Sequence, residues 1–440
     1  MPPRVAIVGA GWSGLAAAVR AVQRGCRVSL YEAARQPGGR ARAVPLALPG
    51  GGALMGDNGQ HILIGAYTAT LGLMRAVGVD PARALRRLPL TLRAPDGSGL
   101  SLPRLPRPLD VAAGILGARG WPWADRWALL HTAAGWRRAG FACDPSLTVA
   151  ALGAALPERV RQDFIEPLCV AALNTCAAEA SAAVFLRVLR DTLLGPPDSP
   201  VRGSADLLLP QTDLSALLPD PALRWLQQRG AAIHLGQRVN ALHWRAPHWL
   251  IDGQPFDRVA LALSAPAAAQ LLVASAAQAE PPLAAALAAW QADAAALRHN
   301  AIATVYALAE GSAAPWPMPM LALRSDDDAP AQFVFDRGAL AGGPAHTRLL
   351  AFVVSAAHGD NAALEQAVRQ QARAQLGLTV QPLRAITEKR AAFACTPGLR
   401  RPPMLIAPGL LACGDAVQGP YPATLEGAVR SGLRAADALG

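Results

Sequence analysis

The 440-residue sequence has few charged and few aromatic side chains, and it contains a single lysine. Charged residues make up 16% of the chain and aromatic residues 5%, whereas 52% are hydrophobic, so the composition excludes a disordered protein. The six cysteines form no C-x-x-C pair, and the eight histidines show no metal-ligand spacing. These absences argue against a disulfide framework and against a metal site, and they favour a reducing compartment.

Long apolar runs are also missing. The longest uncharged stretch, residues 259–279, contains Pro266 and four polar side chains, so it is typical of a strand, a turn and a helix rather than a transmembrane span. Residues 5–18 are apolar, but they carry three glycines and no small-residue cleavage site, which does not match a signal peptide. We therefore expect a cytoplasmic location.

Positive charge is in excess, and nearly all of it is arginine. The formal net charge is +10, and Lys389 is the one lysine among 41 basic residues. No basic tail and no nucleic-acid-binding motif accompanies this charge, so we predict no nucleic-acid partner. An anionic membrane surface is the other candidate for a basic protein.

The segment 83–140 combines this charge with tryptophan. It holds ten arginines, three aspartates and four of the ten tryptophans. Such a mixture suits a bilayer interface, where indole lies at the headgroup level and guanidinium meets phosphate. A solvated helical hairpin with its tryptophans in the core would have the same composition. The segment thus predicts peripheral attachment at the inner face of the membrane, with the hairpin as the alternative.

A glycine-rich turn near the N-terminus predicts a nucleotide site. Residues 4–9 are typical of a buried parallel strand, residues 15–24 have helical spacing, and a second strand over 27–31 ends at Glu32. The G-x-G-x-x-G motif of residues 9–14 lies between the first strand and the helix. This arrangement offers backbone N–H groups and a helix dipole to a pyrophosphate, and the acid to a ribose. The motif alone does not separate NAD from FAD.

Four further strings favour FAD. They are GGRAR at 38–42, GDNGQH at 56–61, LLACGD at 410–415 and PATLEGAV at 422–429. The last of these opens a second helix, hundreds of residues after the first. A cofactor with an electron-accepting ring at its far end requires such a helix, because a helix N-terminus stabilises the charge of the reduced ring.

On these motifs the chain resembles the superfamily of FAD-dependent amine oxidases and carotenoid desaturases over its whole length. More narrowly, it resembles the bacterial hydroxysqualene dehydroxylases, also called squalene-associated FAD-dependent desaturases. The strings that carry this closer resemblance are DNGQHILIGAYTAT (57–70), PLCVAALNT (167–175), EKRAAF with TPG (388–398) and PATLEGAVRSG (422–432). The chain departs from the expected pattern at 176–178, where we expect a proline-rich turn, and this weakens any transfer of a role to Asn174.

The resemblance implies an α/β fold, with a Rossmann-type FAD-binding domain of the glutathione-reductase kind and an inserted, mixed α+β substrate domain. The FAD-binding domain would comprise residues 1–84, 200–271 and 385–440. The substrate domain would comprise residues 85–199, mostly helical, and 272–384. Val239, in a strand predicted at 237–239, would meet the adenine, and Asp57 would fix its own loop. The implied cofactor-binding residues are Gly9, Gly11, Trp12, Ser13, Gly14, Glu32, Gly39, Arg40, Gln60, Val239, Gly414, Asp415, Leu425, Glu426 and Gly427.

The resemblance also implies a reaction and a C30 isoprenoid substrate. Reduced FAD would deliver hydride to the allylic carbon of hydroxysqualene, and water would leave to give squalene; the external reductant of the flavin is not predicted. Because hydroxide is a poor leaving group, a general acid is required, and His61 and Lys389 are the candidates. His61 has a pKa range suited to the task, and Lys389 hints at a role that arginine cannot fill. A structural hydrogen bond at His61 and a surface position for Lys389 are the alternatives.

Three other functions remain open from the sequence. Carotenoid-type desaturation uses the same cofactor in the oxidative direction. Amine oxidation is disfavoured by the low aromatic content and by the late position of Lys389. A prenyl-binding escort protein of the same architecture would not need both cofactor ends intact.

Overall fold

A computed structural model describes residues 1–195, 203–310, 316–341 and 348–439. The predicted boundary at 199/200 lies outside these residues. In chain order the strands are β1 (Arg4–Val8), β2 (Arg27–Glu32), β3 (Ala43–Ala47), β4 (Ala53–Asp57), β5 (Leu63–Ile64), β6 (Leu85–Leu88), β7 (Thr91–Arg93), β8 (Gly99–Ser101), β9 (Leu207–Pro210), β10 (Ala232–Leu235), β11 (His243–Arg245), β12 (His248–Ile251), β13 (Gln254–Phe256), β14 (Arg258–Leu261), β15 (His299–Ala309), β16 (Met320–Ala322), β17 (Phe333–Asp336), β18 (Leu349–Ser355), β19 (Val380–Phe393), β20 (Leu405–Ala407) and β21 (Leu410–Ala412).

The helices between these strands are mostly short. Two π-helical turns, Arg161–Ile165 and Ala372–Leu376, continue α7 and α15 respectively. The α-helices are α1 (Trp12–Gln23), α2 (Thr68–Ala76), α3 (Pro81–Ala84), α4 (Leu109–Leu116), α5 (Trp123–Arg138), α6 (Val149–Leu152), α7 (Glu158–Val160), α8 (Glu166–Leu173), α9 (Ala182–Leu194), α10 (Leu214–Leu217), α11 (Pro219–Gln228), α12 (Ala265–Ala276), α13 (Pro281–Ala295), α14 (Arg337–Ala341), α15 (Asn361–Gln371) and α16 (Leu425–Leu439).

Three separate stretches of chain supply one six-stranded sheet in the order β10-β2-β1-β14-β21-β20. Its strands pair in parallel, except for β20, which is antiparallel to β21. The sheet is buried, as the apolar run of β1 predicts, and α1 and α16 pack together against it. This confirms the predicted α/β, Rossmann-type fold.

A second, antiparallel sheet has the order β16-β17-β18-β15-β19. Every residue of β18 is buried, because the sheet packs against α15 on one face and against β3 and β9 residues on the other. The predicted boundary at 384/385 falls inside β19, which stays in this sheet as far as Phe393. The division of the chain into domains remains a prediction.

The strand predicted at 237–239 is wrong. β10 ends at Leu235, opposite Glu32, and the chain turns at Gly236, whose φ is +74°. The Gln237 N–H then donates to the Glu32 carbonyl at 2.9 Å. Val239 therefore lies in an irregular segment that leads away from the sheet edge. Among the described residues, no helix is both long and apolar enough to cross a membrane.

Candidate functional site

The glycine turn after β1 fits the predicted phosphate site. A Cβ added at Gly9, where φ is +109°, would lie 2.4 Å from the Ala262 carbonyl oxygen, and one at Gly14 would lie 1.9 Å from the Gly9 carbonyl oxygen. The protein's own packing thus requires both glycines. Gly11 differs, because a Cβ there would meet nothing nearer than the Gly39 Cα at 3.9 Å. The open space beside Gly11 is left for a ligand.

The first turn of α1 presents N–H groups to this space. Gly11 is the N-cap with no side-chain cap, and the first intrahelical hydrogen bond runs from the Leu15 N–H to the Gly11 carbonyl. The preceding N–H groups have no helical acceptor, which is the arrangement that binds phosphate. The Trp12 indole is buried and donates to the Ala41 carbonyl at 3.0 Å, so Trp12 and the buried Ser13 would contact phosphate through the backbone.

The ribose and adenine candidates line one pocket. The Glu32 carboxylate accepts from the Ala10 N–H and the Ala34 N–H, both at 2.8 Å, and each oxygen keeps a further lone pair for a hydroxyl. A cavity of about 250 Å³ is bounded by Gly9, Glu32, Val239 and their neighbours. The structure therefore brings these three together, although Val239 arrives there from a loop.

The GGR loop and the Gly-Asp turn meet beside the phosphate space. The Gly38 N–H donates to the Ala10 carbonyl at 2.8 Å, and Gly39 (φ +60°) lies directly against Gly11. Arg40 donates to Asp415 Oδ1 and to the Ala391 carbonyl, both at 2.5 Å. Arg40 thus ties the N-terminal motif to the C-terminal motif and to β19. Gly414, at φ +152°, donates its N–H to Ser431 Oγ at 3.0 Å, which anchors the turn on α16.

The start of α16 is capped by Thr424, a residue that the sequence analysis did not single out. Its Oγ1 accepts from the Gly427 N–H at 2.9 Å. A Cβ at Gly427 would lie 1.8 Å from the Tyr421 carbonyl oxygen, so glycine is required for the chain to enter the helix. The motif therefore does build a helix N-terminus at Leu425, as predicted.

The side chain of Glu426 is held by contacts within the protein. Its carboxylate is buried and accepts from the Ala69 N–H at 3.0 Å, the Thr70 N–H at 2.9 Å and Thr70 Oγ1 at 2.7 Å. It also accepts from Arg430 Nε at 2.7 Å. These contacts place the carboxylate at the N-terminus of α2, where a negative charge is favoured by the helix dipole. The Glu426 side chain thus holds two helices together, and the cofactor contact of this residue stays a prediction.

Gln60 and His61 follow the DNG turn. The Gln60 Nε2 donates to the His61 carbonyl at 3.1 Å, while its buried Oε1 has no hydrogen-bond partner among the residues that the structure describes. His61 Nδ1 lies 2.6 Å from the Gly59 carbonyl. Because a carbonyl only accepts, Nδ1 carries the proton. Burial lowers the pKa of His61 and the charge of Arg40 lowers it further, against the hydrogen bond to Gly59, so the ring is neutral and Nε2 is an acceptor.

Lys389 lies in a β-bulge of β19. The register with β15 shifts between Asn300, paired with Ala392, and Ile302, paired with Glu388. Lys389 is exposed, and the carbonyls of the next two residues accept hydrogen bonds from Arg40. Bulges are frequent beside active sites because they redirect side chains. Both predicted catalytic residues thus lie near Arg40.

The structure adds His299 to this neighbourhood. It is partly buried at the start of β15. Burial lowers its pKa, and the positive charge of Arg40 lowers it further. Asp415 and Arg390 also influence it. No motif surrounds His299, so only the pairing of β15 with β19 could have revealed it.

Asp57 fixes its loop, as predicted. Its Oδ1 accepts from the Leu214 N–H at 2.7 Å, its N–H donates to the Tyr306 hydroxyl at 2.8 Å, and Oδ2 lies 3.9 Å from Arg337. Burial raises its pKa to about 6, against Arg337 and the Leu214 N–H, which lower it.

The substitution Asp57→Asn is expected to remove a pH dependence of stability. Since the folded-state pKa of Asp57 lies above its ordinary value of 3.8, protonation stabilises the fold. That contribution is complete below the ordinary value and is lost as the pH rises through about 6. Relative to Asp57→Asn, the wild type should therefore lose roughly 2–3 kcal/mol of unfolding free energy from about pH 4 to about pH 7.5. Urea unfolding at both pH values measures this, with exposed Asp327→Asn as the control. A wild-type-to-variant difference that is constant with pH would contradict the prediction.

Similarity to known proteins identifies the family of this chain. The model of the family described as flavin containing amine oxidoreductase matches residues 12–440. The chain belongs to this family. The predicted cofactor, FAD, and the predicted class, an FAD-dependent oxidoreductase, are thereby confirmed.

The sequence relatives of this chain carry more than one name. Three bacterial proteins named hydroxysqualene dehydroxylase are similar to it at 25–29% identity. That of Rhodopseudomonas palustris is 29% identical over 99% of this chain and 98% of its own length. A hydroxyneurosporene desaturase from Rhodobacter capsulatus is 42% identical, but over only 22% of this chain and 19% of its own.

Among solved structures, an oxidoreductase from Methanosarcina mazei has the same fold. Its TM-score is 0.69 at 15% sequence identity, with 99% of this chain and all of that chain covered. This similarity supports the fold alone.

The residues present fit FAD. The open space at Gly11 suits a pyrophosphate, the cavity at Glu32 and Val239 suits an adenosine, and the unpartnered Oε1 of Gln60 is an acceptor for a ring N–H. The individual contacts of the predicted cofactor residues remain predictions.

Proposed function

We propose that this protein reduces hydroxysqualene to squalene with loss of water. The observation that carries the proposal is the near full-length similarity to three hydroxysqualene dehydroxylases, on a chain whose two predicted cofactor-binding motifs are joined by the Arg40–Asp415 pair. The substrate is then a C30 isoprenoid alcohol. In the balanced reaction a C–O bond breaks, a C–H bond forms at the same carbon, and the hydroxyl leaves as water after gaining a proton.

FAD would be held by the first turn of α1, by Glu32 and by the turn at Gly414 and Asp415. When bound and reduced, it supplies the hydride. The protein's own residues must hold the allylic alcohol, exclude water and deliver the proton to the hydroxyl oxygen. Arg40 stabilises this arrangement, because it fixes the Gly-Asp turn against β19.

His61 and Lys389 are the two candidates for the proton donor, and we assign them different roles. His61 is neutral, and its one N–H is held by the Gly59 carbonyl, so it cannot give up a proton at Nε2. It can instead accept a hydrogen bond from the substrate hydroxyl or from the cofactor. A lysine ammonium has three protons to donate, and Lys389 is exposed at the bulge beside Arg40. We therefore propose Lys389 as the general acid and His61 as an acceptor that orients its partner.

The oxidative alternative is carotenoid-type desaturation. The desaturase similarity covers only 22% of this chain, whereas the dehydroxylase similarity covers 99%. Amine oxidation and a non-catalytic escort role have less support, because the three sequence relatives that match over nearly the whole chain are named hydroxysqualene dehydroxylase.

The test is an anaerobic assay of the holoenzyme. Purified protein with reduced flavin, mixed with hydroxysqualene, should produce squalene in the lipid extract, and neither oxidised holoenzyme nor free reduced flavin should do so. Lys389→Met should lower the rate about 100-fold, as expected for loss of a general acid. Lys389→Arg should not restore it.

The control is Arg384→Met, which removes a cation from the exposed side of β19 away from the bulge. It should react at the wild-type rate. If no squalene forms and the flavin is instead reduced by a polyene or an amine, the enzyme belongs to the oxidative branch. If squalene forms equally with Lys389→Met, the proton comes from another group and Lys389 is not the general acid.

A further inference from the structure

Helix α5 is poorly covered by the rest of the protein. Of its 16 residues only Leu129 is buried. Trp123 is 63% exposed and Trp127 is 57% exposed, and because they are four residues apart they lie on the same face of the helix. Core packing therefore does not explain these two indoles, unlike Trp121, which is buried and contacts Phe164 edge to face.

The exposed apolar side chains are concentrated around this helix. Among the described residues ten large hydrophobic side chains are exposed, and four of them lie between residues 105 and 127. Besides Trp123 and Trp127, these are Leu105, just before α4, and Leu109, the first residue of α4. Helix α4 packs against α5, and the two helices form a hairpin. We call residues 103–138 the α4–α5 hairpin. Its apolar surface is a candidate for contact with another body.

The charge of the hairpin identifies the kind of partner. It contains six arginines and two aspartates. Asp110 is buried and accepts from Arg107, so it offers little charge to the outside. Four arginines are exposed with no carboxylate within ion-pair distance in the described part of the chain: Arg104, Arg119, Arg137 and Arg138.

Arg126 fixes the two helices of the hairpin and also stacks on one of the exposed tryptophans. It donates to the carbonyls of Leu116 and Trp121 at 2.7 and 3.0 Å, which fixes the end of α4 against α5. Its guanidinium also lies over the Trp123 ring, 4.7 Å from the centroid. This stacking holds the indole in its exposed position before any partner arrives.

We propose that the α4–α5 hairpin docks on an anionic phospholipid bilayer. Exposed indoles partition into the headgroup region, and unpaired arginines meet lipid phosphates, so both features are satisfied by one surface. The hairpin lies on the membrane and does not cross it, in keeping with its short helices. Membrane docking is separate from the proposed reaction. Because vesicle binding is measured without substrate, either proposal can fail while the other holds.

The test is co-sedimentation of the holoenzyme with phosphatidylcholine vesicles, with and without phosphatidylglycerol. The wild type should bind the anionic vesicles and should bind the neutral vesicles only weakly. Its binding to the anionic vesicles should fall as the salt concentration rises. The double variant Trp123→Ser/Trp127→Ser should bind at least about tenfold less tightly, because two interfacial indoles are lost. Arg137→Gln/Arg138→Gln should lose the preference for anionic lipid. Flavin absorbance and circular dichroism establish that each variant is folded.

The matched control is Trp244→Ser, an exposed tryptophan on β11 outside the hairpin, which should bind as the wild type does. Two results would overturn the proposal. One is vesicle binding that the Trp123/Trp127 variant leaves unchanged. The other is a wild-type dimer in analytical ultracentrifugation that this variant dissociates while no vesicle binding is seen, since the hairpin would then cover a second copy of the chain.

Discussion

Gly11→Ala is expected to weaken FAD binding about 100-fold, some 2.7 kcal/mol, while leaving the fold intact. The backbone of Gly11 has φ −71°, which alanine adopts without strain, and the added Cβ would meet no protein atom nearer than 3.9 Å. The methyl group would instead fill the space beside the free N–H groups of α1, where the pyrophosphate must approach the backbone. Titration of FAD into deflavinated protein measures the affinity, and thermal unfolding of the apoprotein measures the fold.

Two other glycines provide controls for this prediction. Gly25→Ala adds a Cβ with nothing within 4 Å at φ +83°, so it should cost about 1 kcal/mol of stability without changing FAD affinity. Gly14→Ala would place its Cβ 1.9 Å from the Gly9 carbonyl oxygen and should damage the fold itself. If Gly11→Ala binds FAD as tightly as the wild type does, the phosphates do not lie at this turn.

What could be predicted from the sequence is what depends on short-range geometry. Gly9 has a φ of +109°, and a Cβ at Gly14 would clash with the Gly9 carbonyl oxygen, so both requirements arise within one strand–turn–helix unit and the spacing indicates the turn. The helix start at 425 follows similarly from local groups, Thr424 and Gly427. Such features survive in the sequence because the residues that impose them are few and mostly close in the chain.

The features that the sequence did not reveal depend on distant contacts. The partners of Glu426 at the start of α2 are more than 350 residues away, and nothing around residue 426 reveals them. The strand expected at 237–239 has suitable residues but no neighbour to pair with beyond Leu235. His61 has the right residue type for acid catalysis, yet burial and Arg40 lower its pKa, and both arise only in the folded protein.

Glu426→Gln is expected to lower the free energy of unfolding by about 3 kcal/mol and to leave the FAD affinity of the folded protein unchanged. The carboxylate is buried between α16 and α2, and it accepts hydrogen bonds from the N–H groups of Ala69 and Thr70 and from Arg430. Glutamine keeps one acceptor oxygen, but it removes the negative charge that stabilises both the Arg430 guanidinium and the N-terminus of α2.

Urea unfolding of the apoprotein, with FAD titrated into deflavinated protein in a separate experiment, separates this role from the one that the sequence predicts, because the stability of the holoenzyme itself depends on FAD affinity. Glu158→Gln is the matched control, because Glu158 forms an i,i+3 pair with Arg161 but its side chain is 61% exposed, so its loss should be nearly neutral. If Glu426→Gln instead weakens FAD binding tenfold at unchanged unfolding free energy, the side chain contacts the cofactor. The expected result, lost stability with retained affinity, would mean that Glu426 serves the flavin site indirectly, by fixing the helix whose N-terminus is predicted to face the ring.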